Sequence, residues 1–415
     1  MIHERKDCRA CGSARLEAIL DLGKTALAND FLEADEAAAY NSFLPLRLRL
    51  CRDCSLVQLA DVVDPQVLYS RYAYVTSSSR TMEAHLEAQA REVLAAAPGA
   101  KKVLEIASNT GDYLLKFKAL GCEVLGVEPA RNIAEIAEQK GIPTRTEFFN
   151  AQTAPAIRAS WGAPDVILGR HVFAHIDDLK GLLAALEAVS HERTLIGFEV
   201  PYLVDFLEKT EFDTVYHEHL SYVPVRALEA LLRASPFQLE RVTHYPIHGG
   251  SILFQFRRRA AGVPRHPSVA AALRREAELK LAEPQTWRGF AEKVSRIRKD
   301  LPDLIRNLRK SGKRVIGYGA SAKGNTLLNA SGLGPQDLDY IIDNTPFKQG
   351  KLAPGSWIPV REPERLLADQ PDYALLLAWN FAAEIVGREA EYQKRGGRFI
   401  LPIPQPRIVE PDARL

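Results

Sequence analysis

The run Tyr216-His217-Glu218-His219-Leu220-Ser221-Tyr222 packs two imidazoles, a carboxylate and two phenols into one short segment. A histidine titrates near neutrality, at about 6.5 when unperturbed, and an adjacent acid can orient or tune it. The segment therefore suits general acid–base chemistry. Its spacing differs from His-Glu-x-x-His, the metalloprotease helix, so it does not point to a catalytic metal. His171 and His175 add two imidazoles just after an expected strand at 165–169.

A second constellation is Val103-Leu-Glu-Ile-Ala-Ser-Asn-Thr-Gly111, answered by Val124-Leu-Gly-Val-Glu128-Pro129. It reads as a buried strand, a tight turn, a helix and a second strand ending in an acid. Such a unit binds a nucleotide-type cofactor at the carboxyl end of a parallel sheet. Gly111 permits close approach of the backbone. Glu128 can accept both hydrogen bonds of a ribose diol, and Glu105 stands at the end of the first strand. Ala107, Ser108 and Asn109 stand where NAD sites carry phosphate-cradling glycines. S-adenosylmethionine has no pyrophosphate to cradle, so it is the expected cofactor and methyl transfer the expected chemistry. Phe149 and Asn150, with Phe148, follow the next expected strand and are candidates to line an adenine.

Four of the five cysteines form two Cys-x-x-Cys pairs, Cys8/Cys11 and Cys51/Cys54. Four thiolates close a tetrahedral zinc shell and leave no open position, so the expected role is structural. A small segment has little core, and metal binding supplies folding free energy. Cys122 precedes an expected strand and reads as a buried apolar residue. Two glycine-rich turns remain. His248-Gly249-Gly250-Ser251 lets a backbone hug a ligand or an interface. Gly317-Tyr-Gly-Ala-Ser-Ala-Lys-Gly324 opens a helix, where amides, a hydroxyl and a lysine suit a diphosphate. Gly319, Ser321, Lys323 and Asn325 are the candidate substrate contacts there.

The elements that must hold these groups follow from periodicity. Leu46, Leu48 and Leu50 alternate with Arg47 and Arg49 as in a half-buried strand. Strands are expected at 102–107, 123–127, 165–169 and 194–200, with helices at 113–120, 130–140 and 179–189. This βαβ rhythm predicts a doubly wound parallel sheet. A charged helical stretch spans 265–311. A second α/β unit opens at 314, with strands at 338–342 and 373–377. The fold class read from these elements is α/β, with a compact cysteine-framed segment over residues 1 to about 65, a doubly wound sheet after it and the second α/β unit towards the end.

Composition narrows the partners. The chain has 415 residues, 46% of them hydrophobic, and a net charge of +2, without the basic excess of a nucleic-acid-binding surface. No apolar run approaches the ~20 residues of a membrane span, and the first residues lack a signal-peptide core. The expectation is a cytoplasmic protein with no membrane or nucleic-acid partner.

The motifs in order are the two Cys-x-x-Cys pairs, Tyr-x-Tyr-x-x-Ser-Ser from Tyr72, Leu-Glu-Ile-x-Ser-Asn, Glu-His-x-Ser-Tyr, His-Gly-Gly-Ser and Gly-Tyr-Gly-Ala-x-x-Lys-Gly. Together they resemble the zinc-containing sugar C-methyltransferases of deoxysugar biosynthesis, across essentially the whole chain. The resemblance implies three domains: a small zinc-binding module at 1–68, a Rossmann-like S-adenosylmethionine domain at 69–245 and a second Rossmann-like, nucleotide-sugar-binding domain at 246–415. It implies a nucleotide-linked 4-keto-6-deoxysugar as substrate, bound between the last two domains, in an antibiotic-type pathway. It implies His219 as catalytic base with Glu218 beside it, and Tyr216, Tyr74 and His175 as assisting groups. Tyr72 competes with Tyr74 for its role. The resemblance also leans towards a monomer. The chain departs from the family pattern at Ala107, commonly Gly, at Thr110-Gly111, commonly Asp-Gly, and at Arg170, often an amide. A methyltransferase acting on a non-sugar natural product is the alternative reading.

Overall fold

The computed structural model describes residues 2–69 and 80–410. Tyr72 and Tyr74 both lie outside the described residues. Three principal sheets carry the described chain. The first is four-stranded and antiparallel, in the order Ser221–Tyr222, Val57–Leu59, Leu44–Cys51, Leu16–Thr25. Its alternation is the expected one: Leu46, Leu48 and Leu50 are buried, while Arg47 and Arg49 lie at the margin.

The second sheet has seven strands. Lys102–Ile106 lies between Glu123–Val127 and Val166–Arg170, all parallel. Leu195–Pro201 continues the parallel order beyond Val166–Arg170. The antiparallel hairpin of Phe237–Tyr245 and Ser251–Arg258 closes that edge. Thr144–Arg145 forms the other edge. Central strands such as Val103-Leu104 are buried on both faces, as a parallel sheet covered by helices requires. The covering helices show the period of 3.6; Arg131–Gln139 buries Ile133, Ala134 and Ala137. The third sheet, of six strands, is parallel around Val315–Tyr318 with an antiparallel edge at Arg407–Val409.

Element ends differ from expectation by about a residue. One strand is much shorter: only Ile341–Ile342 of 338–342 pairs. Asp337 explains this, since its carboxylate accepts the Gly334 N–H and holds the preceding residues in a turn. The stretch 265–311 forms two helices, Pro267–Glu278 and Pro284–Lys310. The longer one buries Trp287, Phe290, Val294, Ile297, Leu301 and Ile305, so it is a structural strut as well as a charged surface.

Two strands ignore the expected domain limits. Ser251–Arg258 lies beyond residue 245, yet it pairs inside the seven-stranded sheet. A cut at 245/246 would leave Phe237–Tyr245 without its ladder. Ser221–Tyr222 comes from the middle of the chain but pairs with Val57 and Gln58 of the cysteine-bearing sheet. No helix among the described residues is long and apolar enough to cross a membrane.

Glu276 shows how the helices are fastened. It is buried on Pro267–Glu278 and accepts the N–H groups of Val225 (2.6 Å) and Arg226 (3.1 Å) and the Tyr202 hydroxyl (3.0 Å). It thus caps Val225–Leu232, whose own N-cap, Pro224, has no acceptor side chain. Glu276→Ala should lower unfolding free energy by about 2–4 kcal/mol, because buried donors left unpaired cost roughly 1–3 kcal/mol each. A denaturation midpoint equal to the parent's would refute this account.

Candidate active site between three sheets

The turn after Lys102–Ile106 is tight. Ala107, Asn109 and Gly111 all take positive φ, at 53°, 48° and 75°. Only glycine is free of cost there, so Ala107 holds a conformation that L residues rarely adopt. A Cβ at Gly111 would lie 3.0 Å from Ile142 Cγ1, so the turn packs directly on its neighbours. Glu128 braces it: one carboxylate oxygen accepts Asn109 N–H at 3.0 Å and the other accepts Ala130 N–H at 2.9 Å. Each oxygen keeps a lone pair for a diol. Ser108 is buried over Gly126, so close that a Cβ there would meet its hydroxyl.

Glu105 is buried, and its Oε2 has no hydrogen-bond partner among the described residues. Burial pushes its carboxyl up to about 8, against the pull of nearby Arg170. A buried carboxylate oxygen without a partner among the described residues, beside the turn, fits the α-ammonium of S-adenosylmethionine. Arg170 lies over the Tyr113 ring (5.5 Å to its centroid) and 3.7 Å from Glu199. The charge of Arg170 is therefore balanced by an acid inside the fold. Phe149 packs at the edge of the core and Phe148 is half exposed. Asn150 departs from its expected role: its Oδ1 accepts the N–H groups of Gln152 and Thr153 and so supports the start of the helix Ala154–Trp161.

The histidine centre lies at the carboxyl end of Val166–Arg170, the direct neighbour of the cofactor strand. A short helical turn, Phe173–His175, carries His175. The Leu220 N–H donates to Ala174 O at 2.7 Å, which brings in the 216–222 segment. The rings of His175 and His219 are 5.1 Å apart. His219 Nδ1 lies 3.0 Å from the Thr214 carbonyl. A carbonyl only accepts, so Nδ1 carries the proton and Nε2 presents a lone pair. Nε2 lies 2.7 Å from the Tyr216 hydroxyl, which donates to it. Burial holds both imidazoles neutral, His219 well below its ordinary value and His175 down to about 3.

Glu218 requires a correction. The sequence suggests that it polarises His219, but the Thr214 carbonyl holds that ring. Glu218 instead accepts from Asn29 Nδ2 at 2.7 Å, in a segment of the cysteine-bearing module. Local adjacency misled because successive side chains in this turn point apart. Burial raises the Glu218 carboxyl to about 7.

The two glycine-rich turns lie against each other, and several of their side chains turn into the protein. Lys323 Nζ approaches Glu211 Oε2 (3.5 Å) and the His248 carbonyl (3.4 Å), and sits 5.2 Å over the Trp379 ring. The His248 ring lies between His171 (5.0 Å) and Phe381 (5.6 Å). Gly249 and Gly250 have positive φ and pack on Glu211 and Asp205, where any Cβ would collide. Ser251 is fully buried and donates to Ile247 O, so it closes the loop and does not reach a ligand. Ser321 caps the helix Ala322–Ser331, accepting Gly324 N–H at 3.0 Å and donating to Leu377 O at 3.2 Å. Asn325 is buried, with Nδ2 donating to Ala28 O; it ties the third sheet to the first. Gly319 takes φ 87° against Ala378.

Sequence reading passed over Glu199. It is fully buried, accepts from Gln89 (2.5 Å), pairs with His85 (2.9 Å) and lies near His171 (3.4 Å). Arg170 and the two histidines hold it well below the usual carboxylate range, against its burial. A lone acid inside Leu195–Pro201 was the available signal. Asn29 and Asp213, which accepts from Trp379 Nε1 at 2.6 Å, carried none.

The four cysteine sulfurs all lie within 4.8 Å of one another. Cys8 and Cys54 are 3.5 Å apart, Cys11 and Cys51 3.6 Å. A tetrahedron with Zn–S near 2.3 Å has edges of about 3.8 Å, so the donor set fits zinc with no vacant ligand position.

Comparison with known proteins agrees with these features. Family models match residues 8–69 ("Putative zinc binding domain"), 80–242 ("Methyltransferase domain") and 246–404 ("C-methyltransferase C-terminal domain"). The chain is 38% identical over 412 residues to the C-methyltransferase NovU of Streptomyces niveus, covering 99% of this chain and 98% of that one. Among solved structures, magnesium protoporphyrin IX methyltransferase from Synechocystis PCC 6803 matches 43% of this chain and 79% of its own at 13% identity, TM-score 0.32. A SAM-dependent methyltransferase from Archaeoglobus fulgidus matches 39% and 72% at 17% identity, TM-score 0.32. The chain thus belongs to the zinc-containing C-methyltransferase family and is a C-methyltransferase that uses S-adenosylmethionine and a structural zinc.

Proposed function

We propose that this enzyme methylates the carbon beside the ketone, C3 or C5, of a thymidine-diphosphate-linked 4-keto-6-deoxysugar. The observation that carries the reading is the neutral His219, its Nε2 lone pair turned to the Tyr216 hydroxyl, beside His175 at the carboxyl end of the strand next to the cofactor strand. Carbon must become a nucleophile before it can accept a methyl group, and a buried neutral imidazole can remove the acidic hydrogen next to a carbonyl. We read the protein as a cytoplasmic monomer.

When bound, S-adenosylmethionine supplies an electrophilic methyl group on its sulfonium. Glu128 would hold the ribose and Glu105 the α-ammonium, and the backbone of Ala107, Ser108, Asn109 and Gly111, with Phe149, would border the nucleoside. His219 Nε2 takes the hydrogen from the sugar carbon. The Tyr216 hydroxyl, which occupies that nitrogen in the free protein, moves to the ketone oxygen and donates there. His175 donates to the same oxygen, Tyr74 is assigned the same task, and Glu218 holds Asn29 beside the site. Donors aimed at developing negative charge count for most in a dry site. Lys323 and the backbone amides at the start of Ala322–Ser331, with Gly319, take the diphosphate, and His248 borders the sugar. Ser321, Asn325, Gly249, Gly250 and Ser251 keep these groups in place through the contacts described above.

The decisive experiment is mass spectrometry of deuterium exchange into candidate keto-sugars. Enzyme-dependent exchange at C3 or C5 is expected, and exchange at neither position rejects the reading. His219→Asn should abolish methylation, a loss of at least ~10²-fold, with cofactor affinity nearly intact in calorimetry. Normal turnover by that variant would exclude His219 as the base.

The Glu105 carboxyl, raised to about 8, must lose its proton to receive an ammonium. Cofactor affinity should therefore rise between about pH 6 and 8. Glu105→Gln should weaken binding and flatten that slope; a flat profile in the parent protein would contradict the assignment. Cys51→Ser should reduce zinc content and soluble yield together, by metal analysis and fractionation. Full stability of the parent after complete zinc removal would argue against a folding role for the metal.

A further inference from the structure

Arg9 lies inside the first metal-binding turn, between Cys8 and Cys11, and its side chain is completely buried. Its backbone N–H donates to Gln58 Oε1 at 2.9 Å. Its Nε donates to Asp177 Oδ1 at 2.8 Å and its Nη1 to the Leu59 carbonyl at 2.8 Å. A guanidinium removed from water is costly, and apolar replacements of buried ion pairs are often neutral or stabilising. Stability alone is therefore a poor account of this residue.

The bonds around Arg9 close a ring. Leu59, held through its carbonyl, donates its N–H to Leu220 O at 3.0 Å, and Leu220 donates to Ala174 O at 2.7 Å. Ala174 precedes His175, and Asp177, two residues past His175, returns the ring to Arg9. Each histidine of the pair is thus covalently adjacent to a member of the ring: His219 to Leu220, His175 to Ala174. Arg5 reinforces the Asp177 corner at 3.0 Å.

We propose that Arg9 is a positioning residue that sets the spacing of His175 and His219, by tying the metal-binding turn at once to the two loops that carry them. The inference rests on the base role assigned to His219. A planar fork can hold a carboxylate and a carbonyl together; a single ammonium cannot reproduce both bonds in the same directions. A misplacement of about 1 Å at a reacting pair can cost ~10²-fold in rate.

The test uses full-length, zinc-loaded Arg9→Lys, Arg9→Met, Asp177→Ala and the Arg9→Met/Asp177→Ala double variant. Each is assayed for zinc per chain, S-adenosylmethionine affinity, and kcat and KM with a thymidine-diphosphate 4-keto-6-deoxyhexose. Zinc content and cofactor affinity should stay within about twofold while kcat falls about 10–100-fold, with less change in KM. Arg9→Lys should not rescue, and the double variant should be about as slow as Arg9→Met, because the two groups act as one unit. A zinc-loaded Arg9 variant with kcat within about twofold of the parent overturns the proposal, as do rescue by lysine or losses that multiply in the double variant. If the Arg9 variants do not fold, normal kcat in Asp177→Ala overturns it instead. His219→Asn is assayed alongside. Its activity would reject the base assignment, whereas its inactivity beside fully active Arg9 variants rejects only the clamp.

Discussion

The pairing of Ser221–Tyr222 with Val57 and Gln58 is the interaction on which the site depends. It takes the segment with the densest chemistry and makes it the edge strand of a sheet whose turns bind the metal. A seven-residue loop of imidazoles, phenols and an acid has little reason to hold one conformation in water. Backbone hydrogen bonds to Leu59 and Ala174 fix its path, and side-chain bonds from His219 to Thr214 and from Glu218 to Asn29 then set how its side chains are turned. The metal module is then part of the scaffold of the candidate site, which it reaches through Asn29.

Desolvation is the second organising constraint. Glu105, Glu199, Glu218, His171, His175, His219 and His248 are all withdrawn from water to a large degree. Burial pushes the carboxyls up and the imidazoles down, which favours neutral forms throughout. Glu199 is the exception, because Arg170 and two histidines compensate it. Few water molecules reach these groups, so their charges are screened little. The same constraint explains the glycines of the 248–251 loop: they let backbone pack directly against Glu211 and Asp205.

The three parts of the chain meet through a few short segments. Ala28 and Asn29 reach from the first sheet to Asn325 and Glu218. Lys323 reaches from the third to Glu211 and His248. The boundaries that periodicity suggests are therefore blurred in space. A hairpin strand past residue 245 completes the middle sheet, and a strand near 221 belongs to the first.

Local pattern determined much by itself. The alternation at 46–50, the helix period at 131–139, the paired cysteines and the turn from Glu105 to Gly111 were all legible. Each is specified by neighbours within a few residues, and backbone geometry translates such spacing directly into structure. Tertiary structure decided the rest. That Thr214 rather than Glu218 orients His219, that Ser321 and Ser251 face inward, that Glu199 gathers two histidines and an arginine, and that Arg9 reaches Asp177 all depend on contacts far apart in the chain. Sequence spacing carries no information about which of two adjacent side chains in a turn faces the cleft; only packing against the other sheets selects it.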